Sequence, residues 1–91
     1  ELVPESTQYL YNLAVLYKDT GRPADAEPLL LKLEALEPQN VEIQFQLGTT
    51  LLGLGRMPEA VARLEKYVAT APADAANVAA ARGMIEALKK K

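Results

Sequence analysis

Residues 7–40 read TQYLYNLAVLYKDTGRPADAEPLLLKLEALEPQN, and residues 41–74 read VEIQFQLGTTLLGLGRMPEAVARLEKYVATAPAD. Set one above the other, an offset of 34 residues, the two lines share a register. Leu13 falls on Leu47, Gly21-Arg22 on Gly55-Arg56, Ala26 on Ala60 and Leu30 on Leu64. Lys32, Ala35 and Pro38 fall on Lys66, Ala69 and Pro72. Between them lie near-matches: Tyr11 with Phe45, Ala14 with Gly48, Asp25 with Glu59, Asn40 with Asp74. Unrelated helical segments would not hold Gly, Ala and Pro in one common frame, so the chain is built on an internal repeat.

Each unit reads as two helices. Leu10, Leu13, Ala14 and Tyr17 recur at helical spacing over residues 6–20, with Ser6 as the expected cap. Gly21 stops that helix, because glycine accepts the left-handed conformation at a helix end. Pro23 suits the first turn of the next helix, which is expected to run to about Glu37, where Pro38 forbids continuation. Pro28 lies inside it, lacks a donor and crowds the Ala24 carbonyl. The helix is expected to survive with a weakened bond there. Asn40 is a good N-cap for a third helix over residues 41–54. Gly55 and Pro58 repeat the punctuation, Pro72 ends the fourth helix, and Asp74 is expected to cap a fifth over residues 75–90, striped by Val78, Ala81, Ile85 and Leu88.

Composition narrows the chemistry. At 91 residues, 49% hydrophobic and 24% charged, this is one small domain without room for two cores. No apolar run approaches the ~20 residues that cross a bilayer, so membrane insertion is not expected. Glu1-Leu2-Val3-Pro4-Glu5 has neither a basic region nor a long apolar stretch, so it is not a signal peptide. The chain starts at Glu1 rather than Met, and the expectation is a segment of a longer protein. The sequence names no compartment, and its composition leans toward a soluble, cytoplasmic setting. Cysteine and histidine are both absent, which removes disulfides, thiolate nucleophiles, the usual zinc sites and the commonest general base. No cofactor or metal is expected. The formal charge is −2, and setting aside the three lysines of the Lys89-Lys90-Lys91 run makes it −5. An acidic body argues against nucleic-acid binding, which needs a basic face for phosphates. The run itself complements a helix C-terminus. Glu34 and Glu37, with Lys32 close by, read as a solvated helix face rather than an acid–base pair. Gly53-Leu54-Gly55 reads as helix termination rather than a phosphate loop.

The repeated Leu-Ala…Tyr…Gly…Ala…Leu…Pro pattern resembles the tetratricopeptide repeat. Leu13, Ala14, Tyr17, Gly21, Ala26, Leu30 and Pro38 carry the resemblance in one unit. Leu47, Gly48, Leu51, Gly55, Ala60, Leu64 and Pro72 carry it in the next. Two differences stand out: Leu10 and Gln44 replace a large aromatic of the family pattern, and Leu33 and Tyr67 replace a small residue. The resemblance implies an all-α fold, a right-handed superhelical stack of antiparallel helix pairs with five helices. Residues 1–6 would be a flank, 7–40 and 41–74 two repeats, and 75–91 a capping helix. Such stacks usually need about three repeats, so two and a half are expected to be marginally stable alone.

The resemblance also implies a concave partner-binding face on the first helix of each pair. Its positions here are Gln8, Tyr11, Asn12, Val15 and Lys18, then Glu42, Phe45, Gln46, Thr49 and Leu52, with Ala76, Ala79 and Gly83 on the fifth helix. This groove reads as apolar at its centre, with Tyr11 and Phe45 as aromatic anchors for a peptide or amphipathic helix. Tyr11, Val15 and Ala76 stand where the family's terminal-carboxylate clamp would need polar groups, so no such clamp is expected. A second feature is the first helix itself. Between Tyr9 and Tyr17 every residue except Asn12 is hydrophobic, and a helix apolar all round is normally covered all round. The leading expectation is a non-catalytic protein-interaction module, a scaffold or adaptor. The alternatives are a homodimer built on apolar faces and a regulatory repeat segment of a larger enzyme.

Overall fold

The computed structural model describes residues 7–90. It holds five helices: α1 (Thr7–Asp19), α2 (Pro23–Leu36), α3 (Val41–Gly53), α4 (Met57–Thr70) and α5 (Val78–Lys89). There is no strand among the described residues. Each helix packs against its neighbours in the chain, and α1 also touches α3. The result is the stack of helix pairs expected from the repeat.

The Gly-Arg dipeptides close both pairs in the same way. Gly21 and Gly55 take φ of +80° and +79°, a region that side chains strain to enter. After α1, the Arg22 N–H donates to the Tyr17 carbonyl at 2.7 Å and the Gly21 N–H to the Lys18 carbonyl at 3.3 Å. After α3, Arg56 donates to Leu51 and Gly55 to Leu52, both at 3.0 Å. This is the Schellman arrangement, and it satisfies carbonyls that a helix end would otherwise leave bare. Proline then opens the next helix at Pro23 and at Pro58. Asn40 caps α3 as expected, its Oδ1 accepting from the Glu42 N–H at 3.1 Å. The α2 helix runs unbroken through Pro28. The expected Ser6 cap lies outside the described residues.

The fifth helix departs from expectation. It starts at Val78, not at residue 75, and Asp74 does not cap it; Asn77 occupies the cap position without a side-chain cap bond. Residues 71–77 instead form turns, with the Ala75 N–H on the Pro72 carbonyl at 2.9 Å and the Val78 N–H on the Ala75 carbonyl at 3.2 Å. The Asn77 amide donates to Glu42 Oε1 at 3.1 Å. This bond and the packing of Ala75 and Val78 in the second cluster hold the segment in turns against the local helix preference of its alanines.

Two cores result. Leu10, Ala14, Ala26, Leu30, Leu33, Ile43 and Leu47 form one, and Phe45, Leu64, Tyr67, Val78 and Ala81 the other. Ala14 and Gly48 let the helices of each pair approach closely. The two residues that depart from the family pattern in α2 and α4, Leu33 and Tyr67, are fully buried and fill these cores.

Candidate partner-binding face

The α1 helix carries Tyr11, Val15 and Lys18 on one stripe, at spacings of four and three. The α3 helix places Glu42, Thr49 and Leu52 beside them. All six are half-buried, while Gln8 and Asn12 are exposed at the edge. Two hydrogen bonds tie the helices together along this face. Gln46 Nε2 donates to the Tyr11 hydroxyl at 3.1 Å, and Lys18 Nζ donates to Thr49 Oγ1 at 3.3 Å. Along the edge, Gln8 Nε2 donates to Asn12 Oδ1 at 3.0 Å.

Two of the residues expected here are spoken for by packing. Phe45 is 7% exposed and sits in the second core, its ring 5.3 Å from that of Tyr67 and tilted by 52°. It is a core residue, not an open anchor. Gln46 is equally buried, and its Oε1 has no hydrogen-bond partner. Ala76 lies ahead of α5 rather than on it. The face is therefore more polar than expected. Val15 and Leu52 supply its apolar surface, and Tyr11 its one accessible aromatic ring.

At the α1 N-terminal end the face deepens into a recess of about 420 Å³, lined by Thr7, Gln8, Tyr11, Glu37, Asn40 and Glu42. Both charged groups in its wall are carboxylates. The Asn40 amide donates to Glu37 Oε1 at 3.0 Å. That bond, with another from Thr7 and against a small cost of burial, holds the Glu37 carboxyl below the usual glutamate range. Glu42 accepts from the Tyr67 hydroxyl at 3.0 Å and from Asn77 at 3.1 Å. Burial raises the pKa of Tyr11, and the Glu42 charge adds to that, outweighing the bond from Gln46. Burial and the bond to Glu42 raise that of Tyr67. Both phenols stay protonated donors at neutral pH.

Sequence reasoning missed a second polar cluster, between α2, α3 and α4. Glu34 is not on a solvated face. It accepts from Gln44 Nε2 at 2.6 Å and pairs with Arg63, which also donates to Gln44 Oε1 at 3.0 Å. Burial alone would raise the Glu34 carboxyl, but the bonds from Gln44 and Arg63 and the nearby charges of Arg63 and Lys66 bring it below its usual value. Nearby, Arg56, just ahead of α4, forks between Glu59 on α4, at 2.6 Å, and Glu27 on α2, at 2.8 Å. The signal was present at Gln44, a polar residue standing at a core position of the repeat. Both clusters staple helices together and leave no open reactive group.

Among the described residues, no group of three or more acidic or sulfur ligands could hold a metal ion. No described helix is long and apolar enough to cross a membrane. No curated protein and no solved structure matches the chain significantly. The family model for the tetratricopeptide repeat does, over residues 19–85. With two Gly-Arg-punctuated helix pairs and a fifth helix stacked behind them, the chain belongs to the tetratricopeptide repeat family.

Proposed function

We propose that this chain is a non-catalytic adaptor that takes an extended partner peptide along the inner face of α1 and α3. Tetratricopeptide repeats generally mediate protein–protein interaction and are typically not catalytic. The observation that carries the finer reading is that Glu37 and Glu42 share the wall of one recess whose described lining has no basic side chain. A partly desolvated pair of carboxylates favours a cationic side chain, with the Tyr11 ring alongside to contact its stem or charge. The nearest basic group on the face, Lys18, lies seven residues beyond Tyr11 on α1, about 10 Å along the helix. The peptide would set a Lys or Arg at the recess and an apolar side chain over Val15 and Leu52.

The test uses fluorescent, end-blocked peptides that differ only in their content of arginine, leucine and glutamate, read by anisotropy. Affinity should rise with one arginine placed beside a leucine-rich stretch. It should fall by about tenfold in Tyr11→Ala or Glu37→Gln, a loss of ~1.4 kcal/mol, with the helical circular dichroism signal unchanged. Equal binding of neutral and basic peptides, or preference for acidic ones, would overturn the reading.

A further inference from the structure

Where basic side chains cross between helices in this fold, they end on carboxylates. Arg56 reaches Glu27 at 2.8 Å, Lys89 reaches Glu65 at 2.5 Å, and Arg63 pairs with Glu34. Lys18 crosses from α1 to α3 and ends on a neutral hydroxyl, with Nζ donating to Thr49 Oγ1 at 3.3 Å. That hydroxyl lies 3.2 and 3.1 Å from the Phe45 and Gln46 carbonyls, so its proton turns back onto α3 and its lone pairs are left for the ammonium. Among the described residues the carboxylate beside Lys18 is Asp19, at 3.9 Å, although the Lys18 side chain is only 19% exposed. The repeat does not need a cation there, since Leu52 holds the same position in α3. We infer that Lys18 reads an acidic side chain of the bound peptide, so that the inner face selects a peptide with an acidic residue at a fixed distance from its basic one.

This rests on the peptide reading given above and adds a spacing of charge to it. A largely desolvated ammonium with one neutral acceptor keeps two donors and an uncompensated charge. A carboxylate satisfies both at once. The recess reaches from Gln8 to Tyr11, which lie ten and seven residues before Lys18, so it stands roughly 10–15 Å from Lys18 along α1. An extended peptide advances about 3.3 Å per residue and sets residues i, i+2 and i+4 on one side, about 13 Å from first to last. An arginine at i then enters the recess, and an apolar residue at i+2 covers Val15, which lies between Tyr11 and Lys18 on α1. A glutamate at i+4 meets Lys18. Lys18 is none of the three positions, Tyr11, Val15 and Ala76, where the family's terminal-carboxylate clamp would need polar groups, and the carboxylate it reads belongs to a side chain.

Anisotropy titrations with end-blocked peptides test this. The reference peptide carries arginine, then leucine two residues on, then glutamine two residues beyond that. It is made in both chain directions, and the tighter one is kept. Glutamate in place of the glutamine should tighten binding about fivefold, and lysine there should weaken it by about as much. Lys18→Gln, whose amide can still donate to Thr49, should bind the glutamate and glutamine peptides alike and keep the dependence on arginine. Lys18→Arg should retain the preference for glutamate. Both variants should keep the far-ultraviolet dichroism spectrum of the parent chain. If arginine matters but glutamate, glutamine and lysine bind the parent chain alike, or if Lys18→Gln keeps the preference, the inference falls and the acidic recess stands. A glutamate that tightens binding equally from the other side of the arginine overturns the spacing. If glutamate matters and arginine does not, Lys18 stands and the recess reading falls, and if no peptide binds, both fall.

Discussion

The same substitution, glycine to alanine inside a helix, should have opposite signs at two positions of this fold. Alanine stabilises a helix interior over glycine by about 0.5–1 kcal/mol. At Gly83 in α5 a methyl group would meet nothing within 4 Å, so Gly83→Ala should gain that full amount. At Gly48 in α3 the added carbon would lie 2.7 Å from both Cγ and Cδ2 of Leu64, and 3.4 Å from the Ala60 carbonyl oxygen. Comfortable carbon–carbon contacts are about 3.5–4.0 Å, so Leu64 must retreat by roughly an ångström. Leu64 is fully buried, and Cγ is not the free end of a side chain, so α3 and α4 must part. Overpacking of this kind costs about 1–3 kcal/mol, and the geometry puts Gly48→Ala at the upper end. Net of the helix gain, it should destabilise by about 2 kcal/mol. Urea unfolding followed by circular dichroism measures both variants. In a Leu64→Ala background, where the obstructing atoms are gone, Gly48→Ala should become stabilising. Ala14 holds the equivalent position over Leu30 in the first pair with no exposure, so a wider spacing does exist in this fold. If Gly48→Ala proves as stabilising as Gly83→Ala, the second pair relaxes to that spacing without cost, and the close-approach argument is wrong.

Three further outcomes follow from the same geometry. Phe45→Ala should cost about 3–5 kcal/mol and show as a loss of thermal stability, whereas Tyr11→Ala, at the same register position but half-exposed, should weaken peptide binding and leave the fold intact. Thr50 is fully buried and its hydroxyl has no hydrogen-bond partner, so Thr50→Val, which exchanges it for a methyl group, should raise stability by about 1 kcal/mol in the same denaturation assay. The Glu34 carboxyl is held below its usual range in the folded state, so its contribution is complete above the usual glutamate pKa and is lost as pH falls through the depressed value. Unfolding midpoints measured downward from neutral pH should therefore drop in the acid range, and the drop should be shallower in Glu34→Gln.

The parts of the fold visible in the sequence are those set by local chemistry. Gly21 and Gly55 end helices because their backbone enters the left-handed region, and Pro23 and Pro58 open helices because that turn needs no N–H. Such requirements act over four or five residues, and a repeat states them twice. The late start of α5 was hidden, since Ala73 to Ala76 favour a helix, while the contacts that hold them in turns, among them the Asn77–Glu42 bond across 35 residues and the packing of Ala75 on the second cluster, are distant in sequence. The fate of Phe45 was hidden for the same reason. Register made it the twin of Tyr11, but its environment depends on Tyr67 and on Val78 and Ala81 of α5, where the first pair has Leu33, Gln44 and Leu47.

The inner face shows how far a family pattern carries. Periodicity brought Tyr11, Val15, Lys18, Glu42, Thr49 and Leu52 to one surface, because three- and four-residue spacings are all that a helix face requires. What the surface selects for depends on charges brought in from elsewhere. Glu37 enters the recess from the loop after α2, outside either first helix, and reading the face along α1 and α3 alone would describe a neutral, apolar groove. Its carboxylate, held ionised by Asn40 and Thr7, turns that groove into one with an acidic end. Glu37 should therefore govern which peptide the face prefers, and Val15 and Leu52 how firmly its apolar part is held, so the two kinds of substitution should separate selectivity from affinity.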